Sequence, residues 1–532
     1  MTKSGGTPPL HSPSLPESTP PAPPPVFGRA DIRKKTRNRA SKRLLRVGIV
    51  VIALIVVIAG TAIGYAEYRT HQIHRVVVGG LVAQPPSGVE NIVLVGSTSR
   101  CALKQQNKAF GLCSEGVTGV NSDVVMILHV DPNTKTAAIL SIPRDLFVPN
   151  ARADGANKID AALAEGPQQL VSAIEEDFGI PIHHYVELNF DSFQGVVNAL
   201  GGIKMYFPEP VFDAYSGLNV PTAGCRPLNG FQALEVVRAR HLVYKGPGVT
   251  TNDHADWTPD PESDLSRIRR DHEFLRVLAA AVDKKGLGNP ITDNDLLGAV
   301  APQLQVDSGL SLSAMFGLVT TFHGININKT PQQTLPVIVL SSLNYYYQGY
   351  DYGNVELTSQ PNDLHAITGF LGIGADDNTM TGKPLPSPGS VTVSVLNGTG
   401  RTGQAGQTAT ALSALGFNTV GQGDSPASGS LSETYVYYSS SSHLAQAEQV
   451  LHSLSGAATL AKGPTTDGAD VTVVTGTNFS VNAPSHATSP GSSSTTTPPP
   501  ASSPSLQPPT APTQALAQFD PRSCTASGGE GP

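Results

Sequence analysis

Residues 121–145 read NSDVVMILHVDPNTKTAAILSIPRD, and this stretch decides the fold. Two apolar runs, Val124–Val130 and Thr136–Ile142, have the length and residue types of strands. The second closes on Ser141-Ile-Pro-Arg144-Asp145, an apolar strand ending in adjacent opposite charges. Strand termini in α/β sheets are where ligands usually bind, so Arg144 and Asp145 are candidate contacts. Asn121-Ser-Asp123 precedes the first run, which puts Asp123 at a strand mouth.

Working outward, Asn91-IVLV and Tyr185-VELNF are further strand runs, and Leu335-PVIVL is another. Helical spacing covers Lys158–Phe178, Phe193–Leu200, Phe231–Arg240 and Asp264–Lys285, with two more helical segments at about 293–304 and 311–323. The alternation predicts an α/β domain over 88–380, a mixed central sheet covered by helices. After the Pro/Gly-rich stretch Lys383–Gly389, residues 390–477 read strand, helix, strand, helix, strand, a small second α/β module. Gly398-Thr-Gly-Arg-Thr-Gly403 matches GxGxxG there, but the module is small for a dinucleotide fold, and the run is read as a structural glycine-rich turn or a polymer-binding site.

The chain has 532 residues and a net charge of −7, but the charge is divided. Residues 1–46 carry ten Lys/Arg against two acids, leaving 25 basic against 40 acidic residues in the remainder. A nucleic-acid binder would put the positive charge on its folded part, so no nucleic-acid partner is expected. Val47–Ala66, VGIVVIALIVVIAGTAIGYA, has twenty residues without a charge, enough for one transmembrane helix. The basic cluster before it keeps 1–46, a Pro-rich and basic disordered segment, in the cytoplasm and exports the rest. The Pro/Ser/Thr-rich stretch within 478–532 makes that end a disordered tail. Exported chemistry has no ATP or NAD supply and must draw on energy stored in its substrate. Of four cysteines, Cys101 and Cys113, twelve apart in a loop-like stretch, are expected to form a disulfide, whereas Cys225 and Cys524 have no evident partner.

The polar cluster suited to chemistry lies in the first domain. Val237-Arg-Ala-Arg240-His241 closes a helix with Arg238 and Arg240, and Asp264-Leu-Ser-Arg267-Ile-Arg-Arg270-Asp271 opens another. On that helix 264, 267 and 271 share a face, and Arg270 lies beside Arg267 through the i+3 step. Several guanidiniums with few carboxylates describe a site for a multiply charged phosphate ligand, because the planar fork bonds phosphate bidentately. A carboxylate near a diphosphate points to Mg²⁺ shared between the acid and the phosphate oxygens.

Asn91-IVLVGSTSR100, Asn121-SDVVMILHVD131, Leu140-SIPRDLFV148, Val237-RARH241 and Asp264-LSRIRRD271 together resemble the LytR-CpsA-Psr family, and Val391-TVSVLNGTG with Ala411-LSALGF resembles the LytR C-terminal domain that follows it in actinobacteria. The resemblance implies a membrane-anchored extracytoplasmic phosphotransferase. It would move a glycopolymer, here arabinogalactan, from a polyprenyl-diphosphate carrier onto a peptidoglycan hydroxyl with Mg²⁺, leaking some diphosphatase activity. By motif position, Asp123 matches the metal-linked aspartate, which with Arg144 and Asp264 makes up the catalytic set. Arg144, Arg238, Arg240 and Arg267 match diphosphate-binding arginines, with Arg100 and Arg270 as further candidates. Asp145 and Asp264 match acids that orient arginines or assist proton transfer. One departure is Thr98 in Gly96-Ser-Thr98-Ser-Arg100, where the family often has Asp. A prenyl-phosphate or wall-binding scaffold without catalysis is the alternative.

Overall fold

The computed structural model describes residues 73–98, 101, 112–116, 118–284, 304–311, 330–340, 344–425, 431–482 and 515–525, with a few isolated positions besides. Residues 1–46, the span 47–66, Arg100 and most of the expected helix 293–304 lie outside them. Among the described residues no helix is long and apolar enough to cross a membrane.

In chain order the first domain runs β1 (His74–Val76), β2 (Glu90–Ser97), β3 (Ser122–Asp131), β4 (Thr136–Ile142), α1 (Pro167–Phe178), β5 (His184–Leu188), α2 (Phe190–Ala199), β6 (Ile203–Phe207), β7 (Gly224–Leu228), α3 (Gly230–Arg238), α4 (Asp264–Lys284), β8 (Leu304–Asp307), β9 (Gln332–Thr334), β10 (Glu356–Thr358) and α5 (Asn362–Leu371). The central sheet has the order β1-β8-β5-β2-β3-β4-β9. It is mixed: β2 pairs antiparallel with β3 and parallel with β5, and β4 pairs parallel with β9.

Strand alternation separates the two faces of this sheet. Val93, Val95, Val125, Ile127, Leu140 and Ile142 turn to one side and form a buried core with Leu170, Val171 and Ile174 of α1. Leu94, Val124 and Met126 turn to the other side, where α2, α3 and α4 cover them without filling the space between. The expected helix Lys158–Phe178 is broken. A 3-10 helix, Ile159–Glu165, ends at Gly166, whose φ of 108° suits glycine, and Pro167 then opens α1 at its first turn.

The second module forms a five-stranded sheet from β11 (Thr392–Asn397), β12 (Asn418–Asp424), β13 (Thr434–Tyr438), β14 (Ala458–Lys462) and β15 (Val471–Thr475), in the order β12-β11-β15-β13-β14. Helices α6 (Gln404–Ala414) and α7 (Leu444–Leu451) cover it. Strands β12 and β14 were not expected from the sequence. The β12 run NTVGQGD is polar and Gly-containing and lacks strand periodicity, and Asp424 closes it as a strand residue. The GxGxxG run is a self-bonded turn: Asn397 accepts from the Thr399 amide at 3.1 Å and donates to the Arg401 carbonyl at 3.0 Å.

This module docks on the first domain through buried polar contacts. Glu433 accepts from the Thr358 amide and hydroxyl, Glu448 accepts from Asn378 and Thr379, and the Tyr438 hydroxyl donates to the Glu176 carbonyl at 3.0 Å. Its fold runs past residue 477, since Phe479–Val481 pairs with Leu454–Gly456.

The expectation of a wholly disordered 478–532 is corrected at a second place. Residues 515–525 pack on the first domain, where β16 (Arg522–Ser523) pairs antiparallel with β6. Cys524 forms a disulfide with Cys225, 299 residues away, and Cys101 is bonded to Cys113. The Pro/Ser/Thr-rich composition before residue 515 masked this short docking segment, whose contacts with the first domain are all distant in sequence.

Candidate functional site: an arginine cluster at the mouth of an apolar cavity

Four chain segments meet at one end of the covered sheet face. Asp123 stands at the start of β3, and Arg144 and Asp145 lie just past β4. Arg238 is the last residue of α3, which begins with a full capping box between Asn229 and Gln232. Ala239 then leaves the helix in extended conformation, so Arg240 lies on the following turn rather than on the helix expected to reach it. Asp264 and Arg267 occupy the first turn of α4.

Ion pairs knit the segments together. Arg144 pairs with Asp123 and reaches Asp145 at 3.4 Å. Arg240 reaches Asp145 at 2.9 Å and Asp264 at 2.7 Å, and Arg267 reaches Asp264 at 3.0 Å. Arg267 also donates to the Asp123 carbonyl. Exposure is graded: the side chain of Arg267 is 3% accessible, Asp264 7%, Arg144 18%, Asp123 20% and Arg240 28%. The cluster therefore opens to solvent along Arg144, Asp123 and Arg240. Burial works against the Arg144 charge, but Asp123 and then Asp145 outweigh it and hold the guanidinium above its ordinary value. Burial likewise opposes the Asp145 charge, and Arg144 and Lys158 overcome it and keep the carboxyl low.

Three further residues belong here that sequence reasoning missed. Lys158 bonds Asp145 at 2.9 Å. Asp160 is pushed up to about 6 and Glu356 to about 7, each mainly by burial. Glu356 arrives through β10, whose amide bonds the Asp145 carbonyl at 3.0 Å, and no local motif marks it. Asp271 does lie in the recognised α4 motif. It is buried, burial pushes it to about 7, and neither carboxyl oxygen has a hydrogen-bond partner among the described residues. One residue further, His272 bonds the Ser141 hydroxyl at 2.6 Å and ties α4 to β4.

Beneath the cluster lies a cavity of about 220 Å³ between the sheet face and α2, α3 and α4. Leu94, Met126, Phe193, Leu234 and Leu278 line its apolar part, while Asp123, Arg238, Arg267 and Asp271 line its charged end. The Arg238 guanidinium lies over the Phe190 ring, 4.8 Å from its centroid, so this arginine bridges the two chemistries. Arg270 is placed differently from its neighbour. Fully buried, it is enclosed by Asp260 at 2.9 Å, Asp520 at 3.2 Å and the Ala239 carbonyl, and structural bonds occupy both terminal nitrogens of the guanidinium. The i+3 step that sets Arg270 beside Arg267 does not reveal that the docked tail supplies it with a carboxylate.

The LytR_cpsA_psr family model matches residues 66–362, more than half of the chain. The chain belongs to the LytR_cpsA_psr family. A second model, LytR cell envelope-related transcriptional attenuator, matches residues 390–479. Among similar proteins of the family, the probable cell wall biosynthesis protein LcpB of Corynebacterium glutamicum is 27% identical over 342 residues, covering 63% of this chain and 73% of its own. The polyisoprenyl-teichoic acid–peptidoglycan teichoic acid transferase TagT of Bacillus subtilis is 28% identical over 329 residues, covering 60% and 90%. A solved LytR-Csp2A-Psr enzyme from Actinomyces oris is 25% identical, covers 50% of this chain and 88% of its own, and superposes with a TM-score of 0.41.

The cluster also answers whether its residues fit Mg²⁺. Among the described residues no group of three or more His, Cys, Asp or Glu forms an all-protein cage. Asp123, more exposed than Asp145 and Asp264 and paired with Arg144, stands at the open mouth, which suits a cation held by one acid together with phosphate oxygens. The Thr98 hydroxyl is bonded both ways to the Asn121 main chain, accepting at 3.1 Å and donating at 3.2 Å, and is thereby fixed as part of the loop.

Proposed function

We propose that this protein is an extracytoplasmic phosphotransferase of cell-wall assembly, moving a glycopolymer from a polyprenyl-diphosphate carrier to a peptidoglycan hydroxyl. The single observation that carries the reading is an arginine cluster set at the mouth of an apolar cavity. A diphosphate with an oily tail is the ligand that satisfies both halves at once. The names of the similar proteins, which include cell wall biosynthesis proteins and teichoic acid–peptidoglycan transferases, support it. Arabinogalactan is the polymer we infer, and Val47–Ala66 is the membrane anchor that would hold the catalytic domain outside the cytoplasm, beside its lipid substrate.

In this reading Arg144, Arg240 and Arg267 grip the diphosphate through bidentate, charge-assisted bonds. The acceptor oxygen attacks the phosphorus bearing the glycan, and the bond to the bridging oxygen breaks. Prenyl monophosphate leaves, its growing charge met by guanidiniums already in place. Asp264, with one oxygen on Arg240 and the other on Arg267, is committed to aiming those arginines. Asp123, more exposed, is left to meet the proton of the acceptor hydroxyl. The same carboxylate would hold Mg²⁺ jointly with phosphate oxygens, and bound there the ion supplies further charge neutralisation. Arg238 and the apolar cavity seat the head of the prenyl chain and keep water from that side of the phosphorus.

The test is phosphate release from a prenyl diphosphate with Mg²⁺ by the purified protein. Turnover that Asp123→Ala and Arg144→Ala abolish is the expected result. Tight binding with no turnover would mark a scaffold instead.

A further inference from the structure

We propose that Asp520, in the carboxy-terminal segment, is a positioning residue of the catalytic cluster, acting through Arg270. This rests on the phosphotransferase reading above. Asp520 has no accessible surface and lies 3.2 Å from Arg270 and 3.2 Å from Arg269, neighbouring residues of α4. The Arg270 guanidinium faces two ways. It sits on α4, one turn beyond Arg267, and it donates to the carbonyl of Ala239, the residue between Arg238 and Arg240. One buried side chain therefore ties together the two segments that carry three of the candidate arginines.

A fully buried guanidinium is stable only when paired, and Arg270 has two carboxylates, Asp260 and Asp520. Asp260 belongs to the two segments being joined, lying just before α4 with its amide on the Leu242 carbonyl at 2.8 Å. Asp520 comes from outside, on a strand-paired, disulfide-bonded segment, and supplies the fixed reference. The segment is built to hold that carboxylate still. Phe519 stacks on Tyr244 with centroids 4.2 Å apart, β16 extends the sheet of β6 and β7, and the Cys225–Cys524 disulfide closes the end. Asp520 itself accepts from the Ala517 amide at 2.9 Å.

The experiment uses the full-length protein with farnesyl diphosphate, farnesol and Mg²⁺, comparing Asp520→Asn with Asp520→Glu. Affinities are measured by titration calorimetry and amide exchange by mass spectrometry. Loss of positioning predicts that Asp520→Asn weakens farnesyl diphosphate about tenfold or more and leaves farnesol within twofold. It also predicts faster exchange at 237–241 and 264–271, with Asp520→Glu restoring affinity to within about threefold. Unchanged diphosphate affinity with unchanged exchange overturns the proposal, as does an equal loss for farnesol, which would mean general destabilisation. If wild type binds the diphosphate no better than farnesol, the functional reading fails. Exchange at those two segments then decides the positioning role alone, supporting it if faster in Asp520→Asn and overturning it if unchanged.

Discussion

The Nε of Arg240 lies 2.7 Å from Oδ1 of Asp264, joining the turn after α3 to the first residue of α4. The other oxygen of Asp264 holds Arg267, so one carboxylate aims two arginines. Asp264→Ala leaves both guanidiniums without their shared acid, and removing one partner of a buried pair costs about 3–5 kcal/mol. The expected outcome is a fall of about a hundredfold in kcat/KM for prenyl diphosphate, with a lower unfolding temperature. Asp264→Asn should lie between wild type and alanine. Steady-state phosphate release with a thermal melt on the same samples checks both.

Arg144 tests whether the fork or only the charge matters. Its neighbours are Asp123 on β3 and Asp145 in the turn past β4, and a planar guanidinium reaches both while facing the mouth. A lysine keeps the charge and loses that geometry. Arg144→Lys should lose about tenfold to a hundredfold in kcat/KM, each charge-assisted bond being worth about 1.5–3 kcal/mol. Activity near wild type in the lysine variant would mean that point charge suffices.

The cavity should bind the prenyl tail and leave the headgroup to the arginines. Val196 lines the space between α2 and the sheet, and Val196→Trp would fill much of about 220 Å³. KM for farnesyl diphosphate should rise about tenfold or more, whereas affinity for inorganic pyrophosphate should stay within twofold. An equal change for both would detach the cavity from substrate binding.

Much of this site was legible because its chemistry sits in local motifs. The run around Ser141-Ile-Pro-Arg144-Asp145 gave a strand end with charges, and the α4 motif gave 264, 267 and 271 on one face. Residues delivered by long-range pairing were hidden. Glu356 reaches the cluster on a strand more than 200 residues downstream of Asp145, and Lys158 through an antiparallel hairpin that sets it opposite Phe147. Asp520 was masked most completely, since its partners lie 250 and 251 residues away across a stretch whose composition reads as flexible. Spacing places side chains on a helix face but does not tell which buried carboxylate arrives from elsewhere.

Domain docking should respond to pH with a defined sign. Burial pushes Glu433 up to about 7 while it accepts bonds from Thr358 across the interface. An acid raised in the folded state stabilises fully below its unfolded value near 4.5, and that contribution is lost as pH rises through about 7. The unfolding midpoint should therefore decline between about pH 4.5 and 7, and Glu433→Gln should flatten part of the decline. A midpoint that rises over this window in wild type would contradict the assignment.

The most direct measurement is a crystal of the protein soaked with farnesyl diphosphate and Mg²⁺. The predicted density has its diphosphate against Arg144, Arg240 and Arg267 and its isoprenoid chain running past Phe190 toward Leu278. Density for the headgroup on another surface, or a chain lying outside the cavity, would contradict the central claim.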